Sequence, residues 1–367
     1  MILQKIFRYE FVEHNQFSKA SRFRYSALAV ICMLLSSSVL GQNSYSEKSF
    51  FQSRSFGQYF LADHYAPFVK VGIGTTIGLA EYDLGNRGES IWFAEPTVGA
   101  QIPLYSYEGP ISGFALSIPV SFSVWFDFAE PRTAPILNTD YRFALLELNY
   151  YRNINNSFIR NWGIRVIPFF HESTHLGDEI TLYRVKHSIP TTRINVSYES
   201  FELAVLINDP YLEKVSNHSF RVGAKFLYRP EKGYYTTDSL EVLSDVELQP
   251  SKRWIEPYFQ YQFQNPNGWL SNDKMMFVFS ADLSLRVRFG YPVYSTDQSG
   301  NTSKIDEGKE EYKPSINTLF GWKLLNSKKE VSDLGVFLKL YYGINPHGQF
   351  RNIPFYPWFG LTLIYEL

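Results

Sequence analysis

Cysteine is nearly absent from this chain. The one thiol in 367 residues is Cys32. It falls in a segment expected to be removed, so the mature protein has no disulfide, no cysteine nucleophile and no cysteine metal ligand. Long apolar runs are as scarce: Ser26–Leu40 is the only one. It is short for a spanning helix, which needs about 20 apolar residues, so a bundle of membrane helices is excluded. An excess of one charge is missing too, with 35 Lys and Arg against 36 Asp and Glu. No Gly-rich phosphate loop and no basic patch interleaved with aromatics is present, and no nucleic-acid partner is expected.

The apolar run has the layout of a secretory signal. Arg22 and Arg24 precede it, and Val39-Leu40-Gly41 ends it just before Gln42, a small-residue cleavage pattern. Residues 1–41 are read as a Sec signal peptide, with an uncleaved anchor helix as the alternative. Ile31, rather than a small residue, stands before Cys32, so lipidation is not expected.

Aromatic residues are abundant, with 26 Tyr and 31 Phe contributing to an aromatic share of 17%. A membrane β-barrel needs them for its lipid face and its two interfacial girdles. From Phe68 onward the hydrophobic period is two, the period of a strand. Phe114, Leu116, Ile118, Val120, Phe122, Val124 and Phe126 fall on one face, and Ser117, Ser121, Ser123 and Asp127 on the other. Ile255, Phe259, Tyr261 and Phe263 oppose Glu256, Gln260, Gln262 and Gln264. Phe277, Phe279, Leu283, Leu285 and Val287 oppose Ser280, Asp282, Ser284, Arg286 and Arg288. Such runs exceed the five or six residues typical of a soluble sandwich and suit a tilted strand that crosses a bilayer.

Twelve strands are predicted, at 68–80, 91–104, 113–128, 141–151, 162–172, 191–207, 218–229, 254–264, 274–289, 315–325, 334–343 and 357–367. The alternation slips in the sixth, around Glu199 to Phe201. Short and long connections alternate, as in barrels with periplasmic turns and surface loops. The fold class is therefore an all-β, transmembrane, up-and-down antiparallel barrel of about twelve strands, with ten or fourteen as the neighbouring even counts. Residues 42–67 form a periplasmic lead and 68–367 the barrel. Phe359, Leu361, Leu363, Tyr365 and Leu367 alternate to the C-terminus. This resembles the terminal strand that barrel-assembly machinery recognises, with Leu367 in place of the usual final aromatic. The expected location is the outer membrane of a double-membraned bacterium, and the expected partners are outer-membrane lipids and lipopolysaccharide.

One cluster carries chemistry. Residues 169–179 read Phe-Phe-His-Glu-Ser-Thr-His-Leu-Gly-Asp-Glu, in a chain with only 7 His. It lies at the outward end of the fifth predicted strand. Three readings compete. His171-Glu172-Ser173-Thr174-His175 matches the zincin pattern H-E-x-x-H, which needs a helix; on a strand Glu172 points away from the two His. A metal set of His171, His175 and Glu179 makes a divalent cation a candidate cofactor. In the second reading His171 and Ser173, two apart, share a strand face. This resembles the His-x-Ser arrangement of outer-membrane phospholipases and lipid A deacylases, where a His activates a Ser nucleophile. The resemblance implies Ser173 as nucleophile, His171 as base, and Asp178 or Glu179 as the carboxylate that orients it. Those enzymes present the pair to lipid. Here Ile164, Val166, Pro168 and Phe170 read as lipid-facing and Arg165 as luminal, which puts His171 and Ser173 in the lumen unless Pro168 marks a bulge that reverses the strand. Thr174 also stands where those families have Asn or Gly. In the third reading the cluster is a polar loop root that caps the lumen, beside luminal charges from Asp140 and Arg142.

The string from His171 to Glu179, His-x-Ser-x-His-Leu-Gly-Asp-Glu, also resembles the signature of an uncharacterised bacterial outer-membrane and envelope family, a domain of unknown function. Tyr342 to Phe350 is similar to a second stretch of that family, with His347 in place of the usual Asn. The resemblance implies a barrel and no established activity, and it adds Gly177 and Gln349 to the candidate site. The sequence thus reads as an outer-membrane barrel of unassigned activity, with a lipid ester hydrolase and a small-solute pore as the two functional alternatives.

Overall fold

A computed structural model describes residues 47–51, 56–76, 92–127, 136–154, 158–177, 196–211, 217–228, 235–236, 246–247, 254–265, 270–272, 274–288, 293–296, 302–306, 309–325, 334–351 and 353–366. The signal segment, Asp178, Glu179 and Leu367 lie outside the described residues.

The strands are β1 (Glu47–Phe50), β2 (Val69–Thr76), β3 (Trp92–Glu108), β4 (Ser112–Asp127), β5 (Ile136–Asn153), β6 (Asn161–Leu176), β7 (Val196–Ile207), β8 (Asn217–Leu227), β9 (Tyr235–Thr236), β10 (Val246–Glu247), β11 (Ile255–Asn265), β12 (Met275–Arg288), β13 (Val293–Thr296), β14 (Thr302–Asp306), β15 (Glu311–Leu324), β16 (Leu334–Tyr342) and β17 (Trp358–Tyr365). Twelve of them, all but β1, β9, β10, β13 and β14, form one antiparallel wall in chain order. The wall closes where β17 pairs with β2, from Trp358↔Thr76 to Tyr365↔Val69. The all-β, up-and-down barrel of twelve strands read from the sequence is the fold observed. The observed strands run longer at four ends: the second to Glu108, the fourth from Ile136, the fifth to Leu176 and the tenth from Glu311. Positions 77–80 and 191–195 of the first and sixth predicted strands lie outside the described residues.

Closure is what a two-residue period with one wet and one apolar face demands. Closing the sheet leaves no edge of unpaired N–H and C=O groups, and it turns the polar face inward. Along β11, Glu256, Tyr258, Gln260, Gln262 and Gln264 are buried inside while Phe259 is exposed outside. The outer wall is an apolar surface that includes Ile73, Val98, Leu203, Val205, Val222, Leu283, Leu285, Leu361 and Leu363.

The lumen is filled by the chain itself, from both rims. Phe56–Phe68, the end of the expected periplasmic lead and the first residue of the expected barrel, runs inside the barrel as a strap. It needs partners there because its backbone has left water without joining a sheet. Leu61 N donates to Gln262 Oε1 at 2.8 Å and Ala62 N to Ser280 Oγ at 3.0 Å. Asn317 Nδ2 donates to Ala62 O at 2.7 Å, and Tyr59 Oη to Glu147 Oε2 at 2.9 Å. Asp63 is the strap's charged anchor, 3.8 Å from Arg165 and 3.7 Å from Arg221. Tyr59, Leu61, Ala62, Ala66 and Phe68 pack on the luminal side chains Val278, Leu319, Phe337 and Ile364.

From the opposite rim, the connection between β16 and β17 folds inward as a clasp around a 3-10 turn at Gly348–Phe350. Phe350, Ile353 and Tyr356 form an apolar cluster with Phe93, Trp125, Leu137, Tyr341 and Trp358 at that end of the lumen.

Candidate active site

The site begins with a break in the ladder. Below Ile167 the luminal residues of β6 have odd numbers, as Arg165 shows; above it Phe170, Glu172 and Thr174 are the buried ones. The register with β7 jumps between Ile167 and Phe170, so Pro168 and Phe169 form a bulge. A matching irregularity in β5 runs from Ala144 to Leu148. Pro168 has no N–H to give the ladder, which is why the bulge falls there. Its carbonyl is capped from two strands away by Tyr228 Oη at 2.8 Å.

This bulge decides which way the cluster points. It turns Phe170, expected on the lipid side, into the lumen, where it is 4% exposed. It turns His171, Ser173 and His175 to the outer wall. Glu172, the middle residue of H-E-x-x-H, points the opposite way from both His, as a strand requires. It lies buried against Arg142, whose Nε donates to Oε1 at 3.1 Å.

On the outer wall, register places Glu199 of β7 directly opposite His171, and Tyr141 of β5 opposite Ser173. Glu199 Oε1 lies 3.6 Å from His171 Nδ1, with the two side chains 28% and 22% exposed. Phe143 lies against the His171 ring at 5.0 Å between centroids, and Tyr141 meets His175 edge-on at 5.5 Å. A serine, a histidine and a carboxylate thus share one patch of apolar outer wall. A carboxylate on the Nδ1 side of the ring leaves Nε2 as the ring nitrogen that can serve a nucleophile.

Asp178 and Glu179, the carboxylates expected from the sequence, lie outside the described residues, and Glu179 was the third member of the metal set. Among the described residues, no group of three or more His, Cys, Asp and Glu is placed to hold a metal ion. Glu199 was not singled out from the sequence, yet its signal was visible. β7 alternates regularly through Glu199, Ser200, Phe201 and Glu202. The apparent slip there is a carboxylate standing in the outward-facing register.

Behind the patch, inside the lumen, the remaining candidates form a separate buried network. Arg142 also contacts Asp140 Oδ2 at 3.2 Å and His64 Nε2 of the strap at 3.4 Å. Thr174 Oγ1 donates to Asn138 Oδ1 at 3.0 Å. The clasp residue Gln349 donates from Nε2 to the Thr174 carbonyl at 2.7 Å. His347 stacks flat on Trp125 with centroids 4.6 Å apart, its Nε2 3.2 Å from Glu95 and its Nδ1 3.7 Å from Asp140. Burial pulls the His347 pKa down, but hydrogen bonds and charge from Asp140 and Glu95 outweigh it and leave the group above the ordinary histidine value. Gly177 accounts for its place in the string sterically: any Cβ there would meet the Ile136 carbonyl.

No protein-family model matches the chain, and no curated protein matches it. Solved structures similar to it include outer membrane phospholipase A from Escherichia coli, with 11% identity over 86% of this chain and 99% of that one at a TM-score of 0.43. The Salmonella typhi outer membrane phospholipase shares 12% identity over 86% and 94% at 0.42. LpxR from Salmonella typhimurium shares 10% over 81% and 100% at 0.33. At such values the likeness is one of barrel architecture alone.

Proposed function

We propose that this chain is an outer-membrane barrel that hydrolyses lipid esters on its outer wall, with Ser173 as nucleophile, His171 as general base and Glu199 as the carboxylate that orients His171. The observation that carries the reading is the Pro168–Phe169 bulge. Without it the pair would face a lumen already filled by strap and clasp; with it the pair lies on the apolar wall, where an acyl chain has access. An apolar belt on a closed barrel belongs in a bilayer, because no water-soluble protein of this size presents so much contiguous apolar surface.

The chemistry is acyl transfer in two steps. Ser173 Oγ attacks the ester carbonyl while His171 Nε2 takes its proton, then returns it to the departing alkoxide, leaving an acyl-serine. Water, deprotonated by the same imidazole, releases the fatty acid and restores the serine. Glu199 on Nδ1 fixes the tautomer and offsets the imidazolium charge as it forms. The substrate class is an outer-membrane phospholipid or the acylated lipid of lipopolysaccharide. The filled lumen favours this reading over a small-solute pore. The terminal alternation of β17 supports recognition by barrel-assembly machinery, and the nine-residue string beginning at His171 supports kinship with the envelope family of unknown function.

The test is acyl release from phospholipid and from lipid A in mixed micelles, with calcium or zinc supplied, by the wild type and Ser173→Ala. Cleavage that vanishes in Ser173→Ala is the expected result. Cleavage unchanged by that substitution, or absent from the wild type on both lipids, overturns the reading.

A further inference from the structure

The outer patch is aimed by what lies behind it. Successive residues of a strand point to opposite faces, so the backbone of Glu172 and Thr174 sets the direction of Ser173 between them. That backbone lies just above the Pro168–Phe169 bulge, where the pairing with β7 shifts register.

The lumen restrains this stretch further. The Glu172 carboxylate is held by Arg142 at 3.1 Å and the Thr174 hydroxyl by Asn138 at 3.0 Å. The clasp adds a bond to the backbone itself, from Gln349 Nε2 to the Thr174 carbonyl at 2.7 Å. That carbonyl belongs to the peptide one residue beyond Ser173. Gln349 is itself fixed: it is 6% exposed, and its backbone N reaches Asn138 Oδ1 at 3.4 Å. Gly348 lets the clasp approach this closely, since a Cβ there would lie 2.4 Å from Thr174 Cγ2.

We infer that Gln349 is a positioning residue for ester hydrolysis, holding the Ser173 backbone from inside the barrel through the Thr174 carbonyl. The inference rests on the hydrolase reading above. Its consequence is that a side chain on the luminal side of the wall, unable to touch substrate, governs kcat on the lipid side. Misplacement by about 1 Å costs a catalytic group on the order of a hundredfold in rate.

The experiment compares wild type, Gln349→Leu, Gln349→Glu and Ser173→Ala, each refolded and shown to keep heat-modifiable migration as a folded barrel. Gln349→Leu keeps the approximate volume and removes the donor. It is expected to lower kcat at least tenfold while KM stays within about twofold, and to slow fluorophosphonate labelling of Ser173 in proportion. Gln349→Glu offers a donor only when its carboxyl is protonated. Its activity relative to wild type is expected to recover as pH falls, a signature that loosened packing would not produce. Wild-type kcat in Gln349→Leu overturns the inference and leaves the hydrolase reading standing, as does a Gln349→Glu activity ratio independent of pH. Full activity in Ser173→Ala overturns the hydrolase reading, and this inference with it.

Discussion

His171 and Glu199 face each other across the β6–β7 ladder on the outer wall, Nδ1 to Oε1 at 3.6 Å. A carboxylate on the apolar side of a barrel is costly unless it has a task, and neutralising a histidine that cycles through its charged form is one. Glu199→Gln keeps the shape and removes the charge. It is expected to lower kcat by about a hundredfold or more, because His171 then works as a base without the carboxylate that orients it and offsets its charge. Glu199→Ala is expected to do the same. Lipid hydrolysis by the two variants at saturating substrate is the measurement, and wild-type turnover in both would remove Glu199 from the mechanism.

The bulge that aims the pair has its own support in Tyr228, whose hydroxyl caps the Pro168 carbonyl. Tyr228→Phe removes the hydroxyl that donates this bond. It is expected to cost about 1 kcal/mol of stability against urea and to raise hydrogen exchange at Phe169–His171. Exchange unchanged in that stretch would mean that the bulge holds without its cap.

These two relationships also mark where the sequence stops being readable. The strands were legible because alternation is a local property: Phe277 to Phe289 shows it without knowledge of any partner. The bulge was half legible. Pro168 flagged a place where the ladder breaks, but the reversal above it is matched by an irregularity from Ala144 to Leu148 in β5, a stretch with no Pro or Gly to mark it. Glu199 looked like an error of alternation because its meaning lies in the residue across the ladder. The strap was hidden for the same reason. Tyr59, Ala62 and Asp63 are ordinary residues until the closed wall brings Glu147, Asn317 and Arg165 to them.

Asp63 joins the strap to two arginines of the wall, Arg165 and Arg221. Asp63→Asn preserves the acceptor for Tyr65 N, a bond of 2.9 Å, and removes only the charge. Leaving two buried guanidinium groups short of a partner is expected to cost about 3 kcal/mol. The strap should then leave the lumen part of the time. Planar-bilayer recording is expected to show conductance in Asp63→Asn and none in the wild type. A silent variant with unchanged urea midpoint would show that apolar packing on Val278, Leu319, Phe337 and Ile364 holds the strap unaided.

The clasp carries a pH dependence whose sign follows from His347. Its pKa is raised in the folded protein, because Asp140 and Glu95 outweigh the effect of burial. A group that binds its proton more tightly when folded stabilises the fold wherever that proton is bound. The contribution is therefore complete below the ordinary histidine pKa of about 6.5 and fades as pH climbs through the raised value. Above that, a neutral imidazole faces two carboxylates with one proton to share, and the clasp loosens. Limited proteolysis and hydrogen exchange across Gly343–Arg351 are expected to show protection at pH 6 and progressive loss toward pH 9. His347→Asn retains hydrogen-bonding capacity but cannot titrate, so its protection should be lower at pH 6 and flat with pH. A variant that keeps the wild-type profile would assign the dependence to another group, and a wild type with no profile would mean that Trp125 stacking alone secures the ring.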